Sequence, residues 1–236
     1  MLYANVNGEK VEARPKLHGK CPLCHGDVFS KCGEINLWHW AHVADENCDS
    51  WLEPETEWHK KWKHAFGKEK SEVIITKDRI KHIADVRTKS NVIIELQNSP
   101  IQKQTIVKRE EFYGEQMLWI INGNEFKDNF KDTSSDITEE ISSYNRFIMQ
   151  SNSTSREKRK LDEYSKYPFK WSWPRKSWSQ SKRDIFIDFG SPILFRIIEG
   201  MGTNEGLFKK VSKKRFLEKY GGDVSFLPEL ISSGFL

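Results

Sequence analysis

The sequence predicts an α+β or α/β protein: a mixed sheet flanked by helices, led by a small metal-stapled module and followed by a basic, tryptophan-rich region. Three observations carry that expectation. All four cysteines and four of the seven histidines fall within the first fifty residues, a concentration that suits a metal-held module too small to stand on its own core. Apolar spacing then changes from helical to alternating and back between residues 54 and 122. Nine Trp and fourteen Phe in 236 residues supply large burial, so the chain folds although only 37% of it is hydrophobic and 31% is charged.

The same arithmetic excludes classes. No apolar run approaches the ~18 residues of a membrane span, so no membrane partner is expected. The opening MLYANVNGEKVEAR lacks the apolar stretch and small-residue cleavage site of a secretory signal, which points to a reducing, cytoplasmic compartment and against disulfides. The cysteines therefore read as metal ligands or core thiols. A net charge of +4 names no partner by itself.

Composition divides the chain into residues 1–50 (metal module), 51–150 (core) and 151–236 (basic region), with the polar tract Gln150–Ser155 as the boundary inside the latter half. Trp58, Trp62, Ala65 and Phe66 recur at helical spacing after Pro54, predicting a helix over about 54–66. The β-branched runs 72–76, 80–86 and 92–97 predict successive strands. A second helix is expected over 102–114 and a strand over 117–122, closed by Asn122-Gly123. Further strands are expected at 184–189 and 192–198, with a helix near 209–220.

Cys21-Pro-Leu-Cys24 is a knuckle that places two thiolates on one ion, and after fourteen intervening residues comes His39-Trp-Ala-His42. Together they supply the four ligands of tetrahedral Zn²⁺, as a structural staple rather than a base-reading finger. The alternative is reduced core thiols beside surface histidines. Cys32 and Cys48 belong to no pair and stand outside the expected set, though either could displace a histidine.

Strand alternation puts Glu95 and Gln97 on one face and Ile94 and Leu96 on the other. Asp85 interrupts an otherwise apolar strand, and the short connection lets the two strands pair antiparallel, so Asp85 and Glu95 can meet. Two carboxylates near a sheet centre suit Mg²⁺ (or Mn²⁺), which would polarise a phosphodiester and acidify an attacking water. Gln97 can orient a water but cannot take its proton. Glu55, His59 and Lys63 follow at spacing four, flanking the apolar face of the first helix, where they can line a cleft; simple helix-surface pairing is the alternative.

Taken in order, CPLC, HWAH, Glu55-Thr56-x-x-His59-x-x-x-Lys63, Ala84-Asp85-Val86, Glu95-Leu96-Gln97-x-Ser99, Arg109-x-x-x-Tyr113 and Leu118-Trp119-Ile120-Ile121 resemble the CoiA-like competence protein family, which is assigned to the PD-(D/E)XK nuclease superfamily. The resemblance runs from about Cys21 to Asn122. It implies a restriction-endonuclease-like core behind a zinc knuckle, in proteins linked to DNA uptake and recombination. It implies that Asp85 and Glu95 hold Mg²⁺, that Glu55 and His59 complete the catalytic site, and that Gln97 occupies the superfamily's lysine position, with Lys63 as a substitute cation from across the cleft.

Residues 156–183 carry ten Lys or Arg against three Asp or Glu. Lys170, Trp171, Trp173, Arg175, Lys176 and Trp178 combine cations for phosphates with flat rings for bases, the ingredients of single-strand binding, and Arg109 is added as a basic contact. Core tryptophans and a solvated charge run are the competing reading. Two functions follow: a metal-dependent deoxyribonuclease with DNA, single-stranded DNA included, and recombination or defence proteins as partners, or a DNA-binding or recruiting factor that keeps the nuclease fold without turnover; the strand preference stays open. The sequence leaves the oligomeric state open.

Overall fold

The computed structural model describes residues 1–34, 37–44, 48–134 and 166–231. They form two compact units, residues 1–99 with Leu217–Leu230 and residues 100–216 with Ile231. No helix among the described residues is long and apolar enough to cross a membrane.

The first unit begins with five short strands, β1 (Tyr3–Val6), β2 (Glu9–Glu12), β3 (His18–Lys20), β4 (Asp27–Lys31) and β5 (His39–His42), in the order β2-β1-β3-β4-β5 and antiparallel throughout. Asn7 and Gly8 both take positive φ, 52° and 88°, which is the two-residue turn that matches strand twist and closes β1 onto β2. Ala4, Cys21, Val28 and Trp40 form the module's core.

Helix α1 (Glu57–Phe66) starts three residues later than Pro54 because Thr56 caps it, its hydroxyl accepting from the His59 amide at 3.3 Å. It buries His59, Trp62, Lys63, Ala65 and Phe66. Strands β6 (Ser71–Lys77), β7 (Ile80–Arg87) and β8 (Ile93–Gln97) then run antiparallel, as the alternating pattern predicts. Residues 217–230 pack on α1, where the Asp223 amide donates to the Ala65 carbonyl at 2.6 Å.

The second unit holds α2 (Lys103–Tyr113), β9 (Met117–Asn122), β10 (Phe130–Asp132), β11 (Tyr167–Trp171), β12 (Asp184–Asp188), β13 (Ile193–Glu199) and β14 (Glu205–Ser212). Their order is β10-β11-β14-β13-β12-β9, with β12 parallel to β9 and every other pair antiparallel, so the sheet is mixed. Glu110 of α2 accepts from Trp119 Nε1 at 3.0 Å and the Lys182 amide at 2.9 Å, which fastens the helix to the sheet.

Two features depart from the sequence expectation. Residues 209–212 complete β14 instead of opening a helix, because each finds a partner on β13, and the helix is confined to Lys213–Tyr220. Strands from the region expected to stand apart after residue 150 share one sheet with β9. The tract Gln150–Ser155 and the start of the basic segment lie outside the described residues.

Candidate functional site

The knuckle forms on the β3–β4 turn. The His25 amide donates to the Cys21 carbonyl at 3.0 Å, and the Leu23 and Gly26 amides donate to the sulfurs of Cys21 and Cys24, both at 3.4 Å. Cys21, Cys24, His42 and Cys48 bring one ligand atom each within 4.8 Å of one another, with Cys21 Sγ 3.5 Å from Cys48 Sγ and Cys24 Sγ 3.3 Å from His42 Nε2. Ligands about 2.3 Å (sulfur) and 2.0–2.1 Å (nitrogen) from a tetrahedral zinc stand ~3.5–3.8 Å apart, so the donor set and its spacing fit Zn²⁺. Burial, then the neighbouring sulfurs, push the Cys48 thiol up, and burial raises Cys24; a divalent cation relieves that crowding by stabilising the thiolates.

The fourth position is where this cluster differs from the expected ligand set. His39 and His42 lie on one strand three residues apart, and an odd offset sends their side chains to opposite faces. His42 shares a face with the buried Trp40, while His39 turns away and its Nδ1 donates to the Leu37 carbonyl at 2.8 Å. Cys48 takes the place expected for His39. Cys32 packs against the module core and is not among the four.

The carboxylates gather where β7 and β8 part. Backbone pairing between those strands ends at Val86↔Ile94. Beyond it the side chains take over: the Leu96 amide donates to Asp85 Oδ2 at 2.9 Å, and the Asp85 amide donates to Glu95 Oε1 at 3.3 Å. Glu95 is 2% exposed, whereas the Asp85 side chain keeps 22% and opens the fork to solvent.

Behind the fork, Lys63 of α1 reaches three carboxylates: Glu55 at 2.8 Å, Glu72 at 2.9 Å and Asp85 at 3.3 Å. Burial alone would push the Lys63 ammonium down, but Glu55, Glu72 and Asp85 outweigh it and hold it well above the ordinary lysine range. Three carboxylates thus share the Lys63 ammonium, with the N-terminal ammonium acting on Glu72 as well. Glu55 Oε1 and Gln97 Oε1 are buried acceptors with no hydrogen-bond donor among the described residues. Unfilled acceptors on Glu55 and Gln97, in the same group of side chains as the carboxylates of Asp85 and Glu95, are a lining that suits a divalent cation.

The other expected site residues sit here too. His59 Nε2 donates to the Leu96 carbonyl at 3.2 Å and Nδ1 pairs with Thr56 Oγ1 at 2.8 Å, so its buried ring bridges α1 to β8 with both nitrogens engaged. Gln97 is fully buried and donates from Nε2 to Glu53 and, at 3.0 Å, to the Ser99 carbonyl. Glu53, Glu72 and Cys48 were outside the sequence expectation. Glu72 has φ of +46°, a left-handed backbone that strand periodicity cannot anticipate.

In the second unit the expected nucleic-acid residues divide. Trp171 and Trp178 are each 1% exposed: Trp171 stacks on Phe126 and Trp178 meets Trp119 edge to face. Neither has a face to offer a base, which corrects that part of the expectation. Arg109 is buried with its guanidinium over the Trp119 ring, and Arg175 lies over Phe126 beside Glu125. Lys170, Lys176 and Trp173, the last 76% exposed, do face solvent.

Two family models match this chain: Competence protein CoiA, N-terminal domain, over residues 6–50, and Competence protein CoiA, nuclease-like domain, over residues 56–188. No curated protein and no solved structure matches it significantly. The first match covers the knuckle and ends just past Cys48. The second begins at the cap of α1, takes in Lys63, Asp85, Glu95 and Gln97, and ends with β12; because it covers more than half of the sequence and its residues converge on one fork, the chain belongs to the CoiA competence protein family.

Proposed function

We propose that this protein is a metal-dependent nuclease that hydrolyses phosphodiester bonds in DNA during uptake, recombination or defence, in the cytoplasm. The observation that carries the reading is the fork between β7 and β8, where Asp85 and Glu95 each bind the other strand's backbone while Lys63 and Glu55 stand behind them. A strand that buries Glu95 at such a place incurs a desolvation cost that a functional cation offsets.

Asp85 and Glu95 would hold Mg²⁺ or Mn²⁺, which when bound supplies an acidified water and a polarised phosphate. The chain's own residues do the rest. Lys63, kept charged, fixes Asp85 and Glu55 and cannot serve as a proton acceptor. Gln97 has an acceptor oxygen to orient a water and no basic group to deprotonate it. His59 holds β8 at its distance from α1. Lys170, Trp173 and Lys176 face solvent and suit a DNA strand.

Labelled single- and double-stranded DNA incubated with the protein and Mg²⁺, Mn²⁺ or chelator tests this. Metal-dependent cleavage is expected, abolished in Glu95→Ala while the circular dichroism and melting of the fold persist. The second reading is a DNA-binding or recruiting factor without turnover, favoured by Gln97 where the superfamily has lysine. Tight DNA binding with no cleavage under any of these conditions would establish that reading instead.

A further inference from the structure

Between Cys48 and Thr56, six of nine residues contact the metal cluster, β7, β8 or α1. Cys48 supplies one sulfur of the metal cluster. Asp49, whose side chain is 1% exposed, grips β7 with both oxygens: Oδ1 pairs with His82 Nδ1 at 2.8 Å and Oδ2 accepts from the Ile83 amide at 2.8 Å. Trp51 lies flat on the His82 ring, centroids 3.3 Å apart and planes 9° from parallel. Glu53 accepts from Gln97, Glu55 accepts from Lys63, and Thr56 caps α1 and pairs with His59.

This segment has no regular structure of its own, so its course is set by what holds its ends. At one end is the α1 cap. At the other is Cys48, whose sulfur lies 3.5 Å from that of Cys21 in the four-ligand cluster, where a bound zinc would fix it. The grip on Ile83 falls two residues before Asp85 on the same face of β7. A displacement of the strap therefore moves Asp85, Gln97 and Lys63 together.

We propose that residues 48–56 form a positioning strap through which the N-terminal metal cluster sets the geometry of the Asp85–Glu95 fork, with Asp49 as its principal positioning residue. The inference rests on the nuclease reading of the fork for its consequence in catalysis, but the mechanical link stands on contacts alone. It makes the knuckle a support for chemistry more than a DNA reader.

The test uses the full chain and two perturbations. Asp49→Ala removes the grip and leaves all four cluster ligands; Asp49→Asn retains an oxygen for the Ile83 amide and an amide for His82, so it should rescue. Hydrogen exchange at the Ile83 amide, zinc content, Mn²⁺ affinity by electron paramagnetic resonance, and kcat and KM on DNA are read for each, and for wild type stripped of zinc. Expected for Asp49→Ala are retained zinc, faster Ile83 exchange, weaker Mn²⁺ binding and a fall in kcat of roughly 10–100-fold at unchanged KM, since small misplacements of reacting groups are that costly. Asp49→Asn should recover most of each.

If Asp49→Ala does not fold, the zinc-stripped wild type carries the same comparison. Wild-type exchange at Ile83 and wild-type Mn²⁺ affinity in both perturbed proteins would overturn the strap. Absence of cleavage by untreated wild type would instead overturn the nuclease reading, and the exchange and Mn²⁺ measurements would still decide the strap.

Discussion

Glu72 shows how much one residue can carry. Its carboxylate accepts from the Leu2 amide at 2.7 Å and the Tyr3 amide at 2.9 Å while pairing with Lys63, and the β6–β7 pairing passes over it from Ser71↔Val86 to Val73↔Ala84. Burial favours the neutral acid, yet Lys63, the N-terminal ammonium and the Leu2 amide prevail and hold its carboxyl down from 4.5 to about 2. A depressed carboxyl stabilises the fold in full above its unfolded value and loses that contribution as pH falls through the folded one. Acid unfolding should therefore gain a Glu72-dependent limb between about pH 4.5 and 2. Glu72→Gln should flatten that limb and cost on the order of 3 kcal/mol at neutral pH, since it breaks one buried pair while Lys63 keeps Glu55 and Asp85; urea melts across pH check both. Gln97→Lys is the companion probe at the fork. An ammonium there meets Glu53 and should preserve or raise cleavage, read as kcat on DNA, whereas loss of cleavage would place Lys63 too close for a second cation. Asp85, Glu95 and Gln97 were legible in the sequence because alternation fixes which way a strand residue points. Glu72 was not, because its positive φ breaks that alternation.

At the scale of elements, the metal module separates what spacing tells from what secondary structure decides. CPLC reads the same in any fold, since two cysteines on one knuckle converge by the turn alone. HWAH does not: three residues apart on a helix would bring both imidazoles together, but β5 is a strand and sends them apart. Short strands with mixed polarity gave no periodic signal for that choice, and Cys48 reaches the cluster from a connecting segment that no pattern marks. Cys48→Ser should therefore strip the metal and unfold the module, because at such sites binding free energy is folding free energy. His39→Ala should retain one zinc per chain by elemental analysis and keep the module's melting transition. Zinc lost with His39→Ala and kept with Cys48→Ser would restore the two-cysteine, two-histidine set.

For the whole molecule, the apolar pattern identified the strands that carry the fork and the helices beside them, but composition overstated the independence of the basic region. Charge describes a surface, whereas β12 and β13 are held by Ile185, Ile187, Leu194 and Ile197, whose burial the neighbouring lysines do not announce. The same confusion touches the tryptophans, which in sequence look alike. Trp178 fills the space against Trp119, so Trp178→Ala leaves a cavity and should cost about 3–5 kcal/mol of stability. Trp173 stands in solvent, so Trp173→Ala should shift stability by no more than about 0.5 kcal/mol. Its effect belongs in binding: a stacked base contributes ~1–3 kcal/mol, and single-stranded DNA affinity should weaken by that amount. Lys170 and Lys176, both exposed, make the electrostatic counterpart, and replacing both by Ala should lower the slope of log affinity against log salt by up to about 1.4, or ~0.7 for each phosphate contact on a single strand. Fluorescence anisotropy with labelled single strands at several salt concentrations measures both effects. An unchanged slope together with unchanged affinity in Trp173→Ala would remove this face from the DNA path and leave the fork to find its substrate by another surface.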